Sequence, residues 1–184
     1  MSAPRNIVVM AGGEGSRLGY VSKPLVKVCG KTILEAVLEV ASGLSRHVYV
    51  VTTPKHLDVI ELCKRLGAEV MISGLGSYVE DLRAVLEILE QPTLVLPADT
   101  PFITRDLLRW FADRALSINA DVVTLICDRS CFPEELRREP SPMGISLFKS
   151  TGGRWRDIVI CRYPELLDVD TEVDLRYALR ICGG

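Results

Sequence analysis

Residues 10–19 read MAGGEGSRLG, and Lys23-Pro24-Leu25 follow shortly afterwards. The stretch comes directly after the apolar run Ile7-Val8-Val9, which is typical of a buried strand. Four glycines within eight positions let the backbone approach a ligand closely, with N–H groups turned inward. Arg17 and Lys23 are placed to neutralise negative charge held there. The stretch therefore predicts a phosphate-binding loop after a first strand.

Two better-known phosphate motifs do not fit this loop. The P-loop requires a Gly-Lys-Ser/Thr triplet after a glycine and four further residues, and that spacing is absent. The dinucleotide fingerprint requires a helix that opens at its last glycine. Here Pro24 follows soon after Gly12, and a good helical pattern begins only at Thr32. We therefore expect a long loop that returns to the surface before any helix begins.

Composition and charge limit the classes of protein. The 184 residues are predicted to form one domain, 1–184, with 48% hydrophobic and 25% charged residues. The net charge of −2 argues against a nucleic-acid partner. No apolar run approaches the roughly 20 residues that span a bilayer, and the N-terminus has no apolar targeting core. We expect a cytoplasmic protein with no membrane partner.

The cysteines are scattered and do not complete a metal-ligand pattern. Most of them lie in apolar segments, where a cysteine behaves as a small core residue. We therefore expect free thiols in a reducing cytoplasm. The six positions are Cys29, Cys63, Cys127, Cys131, Cys161 and Cys182.

Apolar runs and helical patterns alternate between residues 7 and 127. Helix starts are marked by capping residues such as Thr32 and Thr104, and one helix end by Gly67. The alternation predicts an α/β fold, a three-layer α/β/α sandwich around a Rossmann-like, mainly parallel sheet. Strand candidates at 144–149 and 157–161 would make that sheet mixed.

Three further local patterns carry expectations. The helix that starts near Tyr78 is predicted to leave Glu80 and Asp81 off its core face. Residues 166–170 are interpreted as the end of a last strand, and Asp174 as a cap of the final helix. The residues that the helix from Tyr78 is predicted to bury are Val79, Leu82, Leu86 and Leu89.

Carboxylates follow the predicted strands. Ligands bind beyond the carboxyl ends of an open parallel sheet, so Asp99, after the fourth strand, shares an edge with the glycine loop. Asp168 and Asp170 are two apart and would point to one face. Carboxylates opposite a polyphosphate predict Mg²⁺. Because no Ser/His/Asp or Cys/His set is recognisable, we expect direct nucleotidyl transfer between phosphates.

Residues 11–18, Ala-Gly-Gly-x-Gly-x-Arg-Leu, with Lys23-Pro24-Leu25 resemble the signature of the sugar-phosphate and cofactor nucleotidyltransferase superfamily. Asp99-Thr100-Pro101-Phe102 is similar to its metal-binding aspartate. Segments 23–30, 78–82, 144–146 and 168–171 resemble the archaeal GTP:adenosylcobinamide-phosphate guanylyltransferases, nearly end to end. This resemblance implies a nucleotide-diphospho-sugar transferase-like fold, a divalent cation such as Mg²⁺, and a monomer or homodimer. The implied reaction transfers GMP from GTP to adenosylcobinamide phosphate in cobalamin biosynthesis.

The resemblance also implies site residues. Arg17, Lys23 and Asp99 would be catalytic, and Asp99 and Asp170 would bind the metal. Gly144 and Asp168 would contact the acceptor substrate. Base selection would fall to the edge around Thr52, Thr53 and residues 74–81. The nucleotide-binding residues would be Ala11, Gly12, Gly13, Glu14, Gly15, Ser16, Arg17, Lys23, Thr52, Gly76, Glu80, Asp81 and Asp99.

The sequence departs from the family at one motif and leaves alternatives open. The family is expected to have Asn-x-Asn-Thr where residues 168–171 read Asp-Val-Asp-Thr, and two added negative charges favour a metal. A molybdenum cofactor guanylyltransferase is the alternative of the same class, and a non-catalytic GTP-binding sensor is the alternative of another class. Residues 131–143 and 154–156 would cover the corrinoid, or the latter would form a solvated hairpin.

Overall fold

The structure is a computed structural model that describes residues 4–12, 22–74 and 76–183. Its strands there are β1 (Asn6–Met10), β2 (Lys27–Val28), β3 (Lys31–Thr32), β4 (Val48–Thr52), β5 (Glu69–Ile72), β6 (Thr93–Pro97), β7 (Val122–Cys127), β8 (Ser141–Phe148) and β9 (Trp155–Ile160). Its α-helices there are α1 (Ile33–Ser42), α2 (Leu57–Leu66), α3 (Tyr78–Ile88), α4 (Arg105–Ser117) and α5 (Glu172–Gly183). Within these described ranges, every helix is too short or too polar to cross a membrane.

Seven strands form one sheet in the order β5-β4-β1-β6-β8-β7-β9, and β2 pairs with β3 separately. Strand β8 is antiparallel to its neighbours β6 and β7, while all other pairs in the large sheet are parallel. Strand β1 lies inside the sheet, where Val8 is opposite Tyr49 of β4 and Val95 of β6. The predicted α/β class with a mainly parallel, mixed sheet is confirmed.

The two faces of the sheet carry separate cores. Ile7 and Val9 of β1 belong to the larger core, to which α1, α2, α4 and α5 contribute. Val8 and Met10 belong to the smaller core, which α3 covers through Val85 and its neighbour Leu86. Because β1 is buried on both faces, its sequence is a continuous apolar run instead of an alternating one. The three layers are those that the sequence predicts.

The helix ends follow the predicted local signals. Thr32 forms a capping box with Glu35: its hydroxyl accepts from the Glu35 N–H at 3.2 Å, and its own N–H donates to the Glu35 carboxylate at 2.6 Å. Helix α2 ends at Gly67, which has the left-handed φ of 69°. Asp174 caps the start of α5, since the Thr171 N–H donates to its carboxylate at 2.8 Å.

The predicted buried face of α3 is confirmed for Leu82, Leu86 and Leu89 but is wrong for Val79 and Asp81. Val79 is 71% exposed, whereas Asp81 is only 7% exposed. The fully buried residues of the helix are Asp81, Val85 and Leu86, and Leu82 and Leu89 pack beside them, so the buried face is shifted towards Asp81. The carboxylate of Asp81 is accommodated there because the Ser73 hydroxyl donates to it at 2.6 Å.

The predictions for the last third of the chain need two corrections. Strands β8 and β9 do not pair with each other, because β7 lies between them, so residues 154–156 are not part of a hairpin. Residues 166–170 are irregular and not a strand. They are fixed instead by long-range contacts, including the Val169 N–H that donates to the Asp99 carbonyl at 2.9 Å. Local patterns do not contain these pairings.

The expectation of free thiols is also wrong for four of the cysteines. Cys29 is bonded to Cys182 and Cys131 to Cys161, across 153 and 30 residues. Only the fold brings these pairs together, so sequence spacing does not reveal them. The remaining two, Cys63 and Cys127, are buried thiols, and burial raises the pKa of each to about 11. The thiol argument for a reducing compartment therefore loses its basis.

Candidate active site

The predicted site residues converge on one edge of the sheet. Ala11 and Gly12 follow β1, and Asp99 follows the end of β6. Because β8 runs the opposite way, its first residues lie at this same edge. The sheet topology thus places these segments together, as expected for the carboxyl edge of a parallel sheet. Gly13, Glu14, Gly15, Ser16 and Arg17, which the sequence assigns to phosphate binding, lie outside the described residues.

A cavity of about 490 Å³, hereafter the acidic cavity, opens at this edge. It brings together most of the predicted catalytic, metal-binding and acceptor-binding side chains that the structure describes. Its lining consists of Met10, Ala11, Lys23, Pro24, Tyr78, Pro97, Ala98, Asp99, Pro142, Met143, Gly144, Asp168 and Asp170.

Lys23 is the cation of the acidic cavity. It opens a single 3₁₀ turn, Lys23–Leu25, in which Pro24 holds the backbone at the first positions. Its ammonium hydrogen-bonds the Asp170 carboxylate and lies 3.6 Å from Asp99 Oδ2. Burial opposes the charged form, but the bond to Asp170 and the charges of Asp99, Asp170 and Asp168 raise the pKa of Lys23. Lys23 is therefore protonated at neutral pH.

Asp99 is the carboxyl group most affected by burial. Desolvation raises its pKa to about 6, and the negative charges of Asp168 and Asp170 add to this rise. The ammonium of Lys23 acts in the opposite direction. The charged form of Asp99 is thus costly, and any further cation in the cavity would favour it.

Asp168 is held by an arginine that sequence reasoning missed. Arg129 belongs to the 3₁₀ turn Arg129–Cys131 and is only 1% exposed, and its Nη2 atom donates to Asp168 Oδ1. Burial raises the pKa of Asp168, while the guanidinium opposes the rise. A signal for Arg129 existed, because it follows β7 at the same carboxyl edge that drew attention to Asp99.

Gly144 shapes the wall of the acidic cavity. Its φ is +71°, a left-handed conformation that side-chain-bearing residues adopt rarely. A Cβ atom there would lie 3.3 Å from Cβ of Pro97, the last residue of β6. Gly144 lies where the register of β8 against β7 shifts: Thr124 is opposite Ser146, but Ile126 is opposite Pro142. A glycine is therefore needed for this bulge to approach β6.

A second cavity of about 330 Å³, hereafter the glycine cavity, adjoins the first, since Met10 and Tyr78 line both. Thr53 Oγ1 is buried there and has no hydrogen-bond partner among the described residues. Burial, and then the charge of Asp99, raise the pKa of Tyr78 to about 12, so its phenol stays neutral. The cavity is lined by Met10, Gly12, Thr53, Pro54, Lys55, His56, Gly74, Gly76, Ser77, Tyr78 and Asp81.

Two predicted nucleotide-binding residues lie outside both linings. Thr52 is 1% exposed, and its hydroxyl donates to the Ala11 carbonyl at 3.2 Å. Glu80 accepts a hydrogen bond from the Ser77 hydroxyl at 2.8 Å and so belongs to the start of α3. These hydrogen bonds hold the backbone next to Gly12 and Gly76, which themselves line the glycine cavity.

The carboxylates of Asp99 and Asp170 are the groups that could hold a divalent cation. In the ranges that the structure describes, no three His, Cys, Asp or Glu side chains are grouped as a metal site. Mg²⁺ is commonly held by only one or two carboxylates together with substrate phosphates. Two hard oxygen donors that share the lysine Lys23 fit that requirement, and the metal role of Asp99 and Asp170 stays a prediction.

Comparison with known proteins identifies the family. Residues 7–145 match the MobA-like NTP transferase domain, so the chain belongs to this family of nucleotidyltransferases. The chain is 25% identical to the adenosylcobinamide-phosphate guanylyltransferase of Methanocaldococcus jannaschii, over 93% of this chain and 94% of the relative. It is 29% identical to a molybdenum cofactor guanylyltransferase of Albidiferax ferrireducens, over 74% of this chain and 65% of the relative. The resemblance found in the sequence is confirmed.

A solved structure supports the fold. Molybdopterin-guanine dinucleotide biosynthesis protein A from Archaeoglobus fulgidus superposes with a TM-score of 0.73. The superposition covers 97% of this chain and 98% of that protein, at 19% sequence identity. At this level of identity the likeness concerns the arrangement of strands and helices.

Proposed function

We propose that this protein transfers GMP from GTP to adenosylcobinamide phosphate, giving adenosylcobinamide-GDP and pyrophosphate. The observation that carries the proposal is the meeting of Lys23, Asp99 and Asp170 in one cavity beside Ala11. This is an arrangement suited to charge neutralisation during phosphoryl chemistry. The choice of acceptor is supported by the similarity to the Methanocaldococcus jannaschii enzyme, which extends over almost the whole chain.

The proposed reaction requires no covalent intermediate on the protein. An oxygen of the acceptor phosphate forms a bond to the α-phosphorus of GTP. The bond from the α-phosphorus to the oxygen bridging to the β-phosphorus breaks, and pyrophosphate leaves with that electron pair. Holding the two phosphates in line and offsetting their mutual repulsion are the main tasks left to the protein.

Lys23 is the described residue best placed for that task. Its ammonium is protonated and lies against two carboxylates that fix its position, so it is preorganised for charge that develops at the α-phosphate. Asp99 and Asp170 would hold Mg²⁺ together with phosphate oxygens. When bound, this ion supplies Lewis-acid polarisation of the phosphoryl oxygens.

The glycine cavity is the proposed position of the guanine base. It is smaller than the acidic cavity and carries neutral hydrogen-bonding groups, among them the Thr53 hydroxyl. Asp81 adds a buried carboxylate to its lining, and a carboxylate is a natural acceptor for N–H groups such as those of guanine. Adenine and cytosine present different edges, so the proposal predicts discrimination among nucleotides.

Nucleotide choice is tested by thermal unfolding with GTP, ATP and CTP at equal concentrations. A ligand at free concentration c that binds only the folded state raises the free energy of unfolding by RT ln(1 + c/Kd), so tighter binding at equal concentration gives a larger rise. We expect GTP to raise the melting temperature far more than ATP or CTP does. Equal protection by all three would remove the guanylyl assignment.

The acceptor is tested by pyrophosphate release. We expect release that depends on both GTP and adenosylcobinamide phosphate. The similarity to the Albidiferax ferrireducens protein favours molybdopterin as the second candidate. Release with molybdopterin in place of the corrinoid would reverse the choice. Protection by GTP without release in either case would favour a sensor.

A further inference from the structure

The buried guanidinium of Arg129 stands out among the charges around the acidic cavity. It is one of the largest fully buried side chains, yet its Nε and Nη1 atoms have no hydrogen-bond partner among the described residues. Its Nη2 atom donates to Asp168. Burying an arginine is costly unless its charge is paired, so this pairing is the interaction that accounts for its position.

The three aspartates of residues 168–174 each have a cation of their own. Asp170 is paired with Lys23, and Asp174 with Arg138 at 2.7 Å. In the first pair, both Lys23 and Asp170 line the acidic cavity. In the pair of Asp168 and Arg129, only Asp168 lines it. Arg129 therefore reaches the cavity only through Asp168.

The backbone around Arg129 is fixed from several sides. The Asp128 N–H donates to the Ile160 carbonyl at 2.8 Å, which joins the ends of β7 and β9. The disulfide of Cys131 ties the same turn to the residue after β9. The guanidinium carbon lies 5.2 Å from the centroid of the Phe132 ring. The side chain is thus held where it can orient another group.

We propose that Arg129 is a positioning residue for the acceptor substrate. It fixes the Asp168 carboxylate on the wall of the acidic cavity and offsets its charge. Asp168 can then accept hydrogen bonds from N–H or O–H groups of the acceptor without adding net negative charge where the acceptor phosphate approaches. The inference rests on the proposed function because it assigns Asp168 to the acceptor side.

The test is a double-mutant cycle read through Michaelis constants. Arg129→Met, Asp168→Asn and the double variant are compared with the parent, using the acceptor that supports pyrophosphate release. Arg129→Met is expected to raise the acceptor KM about tenfold while the GTP KM stays within about twofold. In the Asp168→Asn background, Arg129→Met is expected to change the acceptor KM little, because the positioned group is already altered.

Two further variants separate positioning from a merely structural role. Arg129→Lys keeps a charge beside Asp168 and should recover part of the acceptor KM. Arg162→Met is the matched control, because it removes an arginine that is exposed and is paired with Glu165. Both residues lie in the segment that contains Asp168. It should leave both constants unchanged. If Arg129→Met alone fails to fold, Asp168→Asn, the double variant and Arg129→Lys still report the coupling between Arg129 and Asp168.

Several outcomes would overturn the proposal. One is a lowered melting temperature in Arg129→Met with an unchanged acceptor KM. Another is an equal effect of Arg129→Met with and without Asp168→Asn. If no acceptor supports turnover, the proposed function has failed, and crystal structures of the parent, Arg129→Lys and Arg129→Met decide the positioning role separately. An Asp168 carboxylate at the same place in all three structures would show that Arg129 does not position it.

Discussion

The acidic cavity and the glycine cavity share Met10 and Tyr78, but the other residues that line them differ in chemistry. The acidic cavity has the Lys23 ammonium among carboxylates, and its geometry depends on ion pairs. The glycine cavity is bordered by Gly12 and Gly76, with hydroxyl groups beside them. Ion pairs define the acidic cavity, whereas glycine backbone and hydroxyl groups beside the buried carboxylate of Asp81 define the glycine cavity. We therefore expect turnover and pH response to be determined in one cavity and nucleotide choice in the other.

The two cavities also differ in how the fold supports them. The glycine cavity lies beyond the parallel strands β1 and β4, with the start of helix α3 as another part of its wall. The acidic cavity depends on antiparallel β8 and on the irregular residues 161–170. Of the two disulfides, one ties the turn after β7 to the start of that irregular segment, and the other ties the β2–β3 turn to α5.

The largest expected effect separates the two cavities by their chemistry. Asp99→Ala should lower kcat about 10³-fold or more, because it removes a proposed metal ligand and a charge beside Lys23. Thermal protection by metal-free GTP should remain, since the glycine cavity is intact. Pyrophosphate release and melting temperatures measure the two effects. Unchanged turnover would take Asp99 out of the metal site.

The second prediction concerns the disulfides. Replacing Cys29 and Cys182 together by serine should lower the free energy of unfolding by about 3–5 kcal/mol, since the bond closes a loop spanning 153 residues. Replacing Cys131 and Cys161 should cost somewhat less, because their separation is 30 residues. Denaturant titrations of both variants measure the loss.

Reductant provides the control for the disulfides. Dithiothreitol should destabilise the parent protein most, should destabilise each double-serine variant only through the bond that it retains, and should leave a variant with all four cysteines replaced by serine unaffected. A parent protein that unfolds at the same denaturant concentration with and without reductant would contradict both bonds.

The features that can be predicted from the sequence are those that depend on local patterns, and the features that cannot are contacts made across the fold. Strands over 6–127 are predictable because their apolar runs are local, and caps such as Thr32 are local as well. Asp99 is predictable because a strand end places it at the shared edge. The partner of Cys29 is not predictable, since it depends on how α5 packs against β2. Arg129 could be placed at the shared edge from its position after β7, but its pairing with Asp168 is not predictable, since the two meet only across the fold.

A glycine in each cavity sharpens the comparison at a smaller scale. Gly144 has φ +71° and Gly76 has φ +119°, so an alanine at either position strains the backbone. Gly144→Ala should cost about 1–2 kcal/mol of stability and raise the acceptor KM, because its Cβ would also crowd Pro97 at 3.3 Å. Gly76→Ala should instead raise the GTP KM.

Gly152→Ala is the matched control for the glycine variants. Nothing lies within 4 Å of a Cβ at Gly152, so its stability and both Michaelis constants should stay close to those of the parent. Steady-state kinetics and denaturant titrations give the comparison. If both cavity variants changed the same Michaelis constant, the division between the cavities would be lost.

The smallest effect concerns the cost of ionising Asp99. Its pKa is raised from 3.8 to about 6 in the folded state, chiefly by burial. Between these values the folded protein binds more protons than the unfolded chain, so stability falls as pH rises from about 4 to 6 and stays low above that range. Asp99→Asn cannot ionise. A pKa rise of this size corresponds to about 3 kcal/mol in full, and solvent screening of the side chain, which is 27% exposed, lowers that figure. Without metal, Asp99→Asn should therefore be about 1–2 kcal/mol more stable than the parent at pH 7.5 and equally stable near pH 3.5.

Denaturant titrations at the two pH values, with a chelator present, measure this difference. The aspartate that turnover is proposed to need is then the one that lowers the stability of the empty fold, as is common for groups retained for catalysis. The matched substitution Asp81→Asn keeps Asp99, so the pH dependence that Asp99 contributes should remain as in the parent, and the variant serves as the control from the glycine cavity. An Asp99→Asn variant less stable than the parent at pH 7.5 would mean that its pairing with Lys23 outweighs the cost of burial.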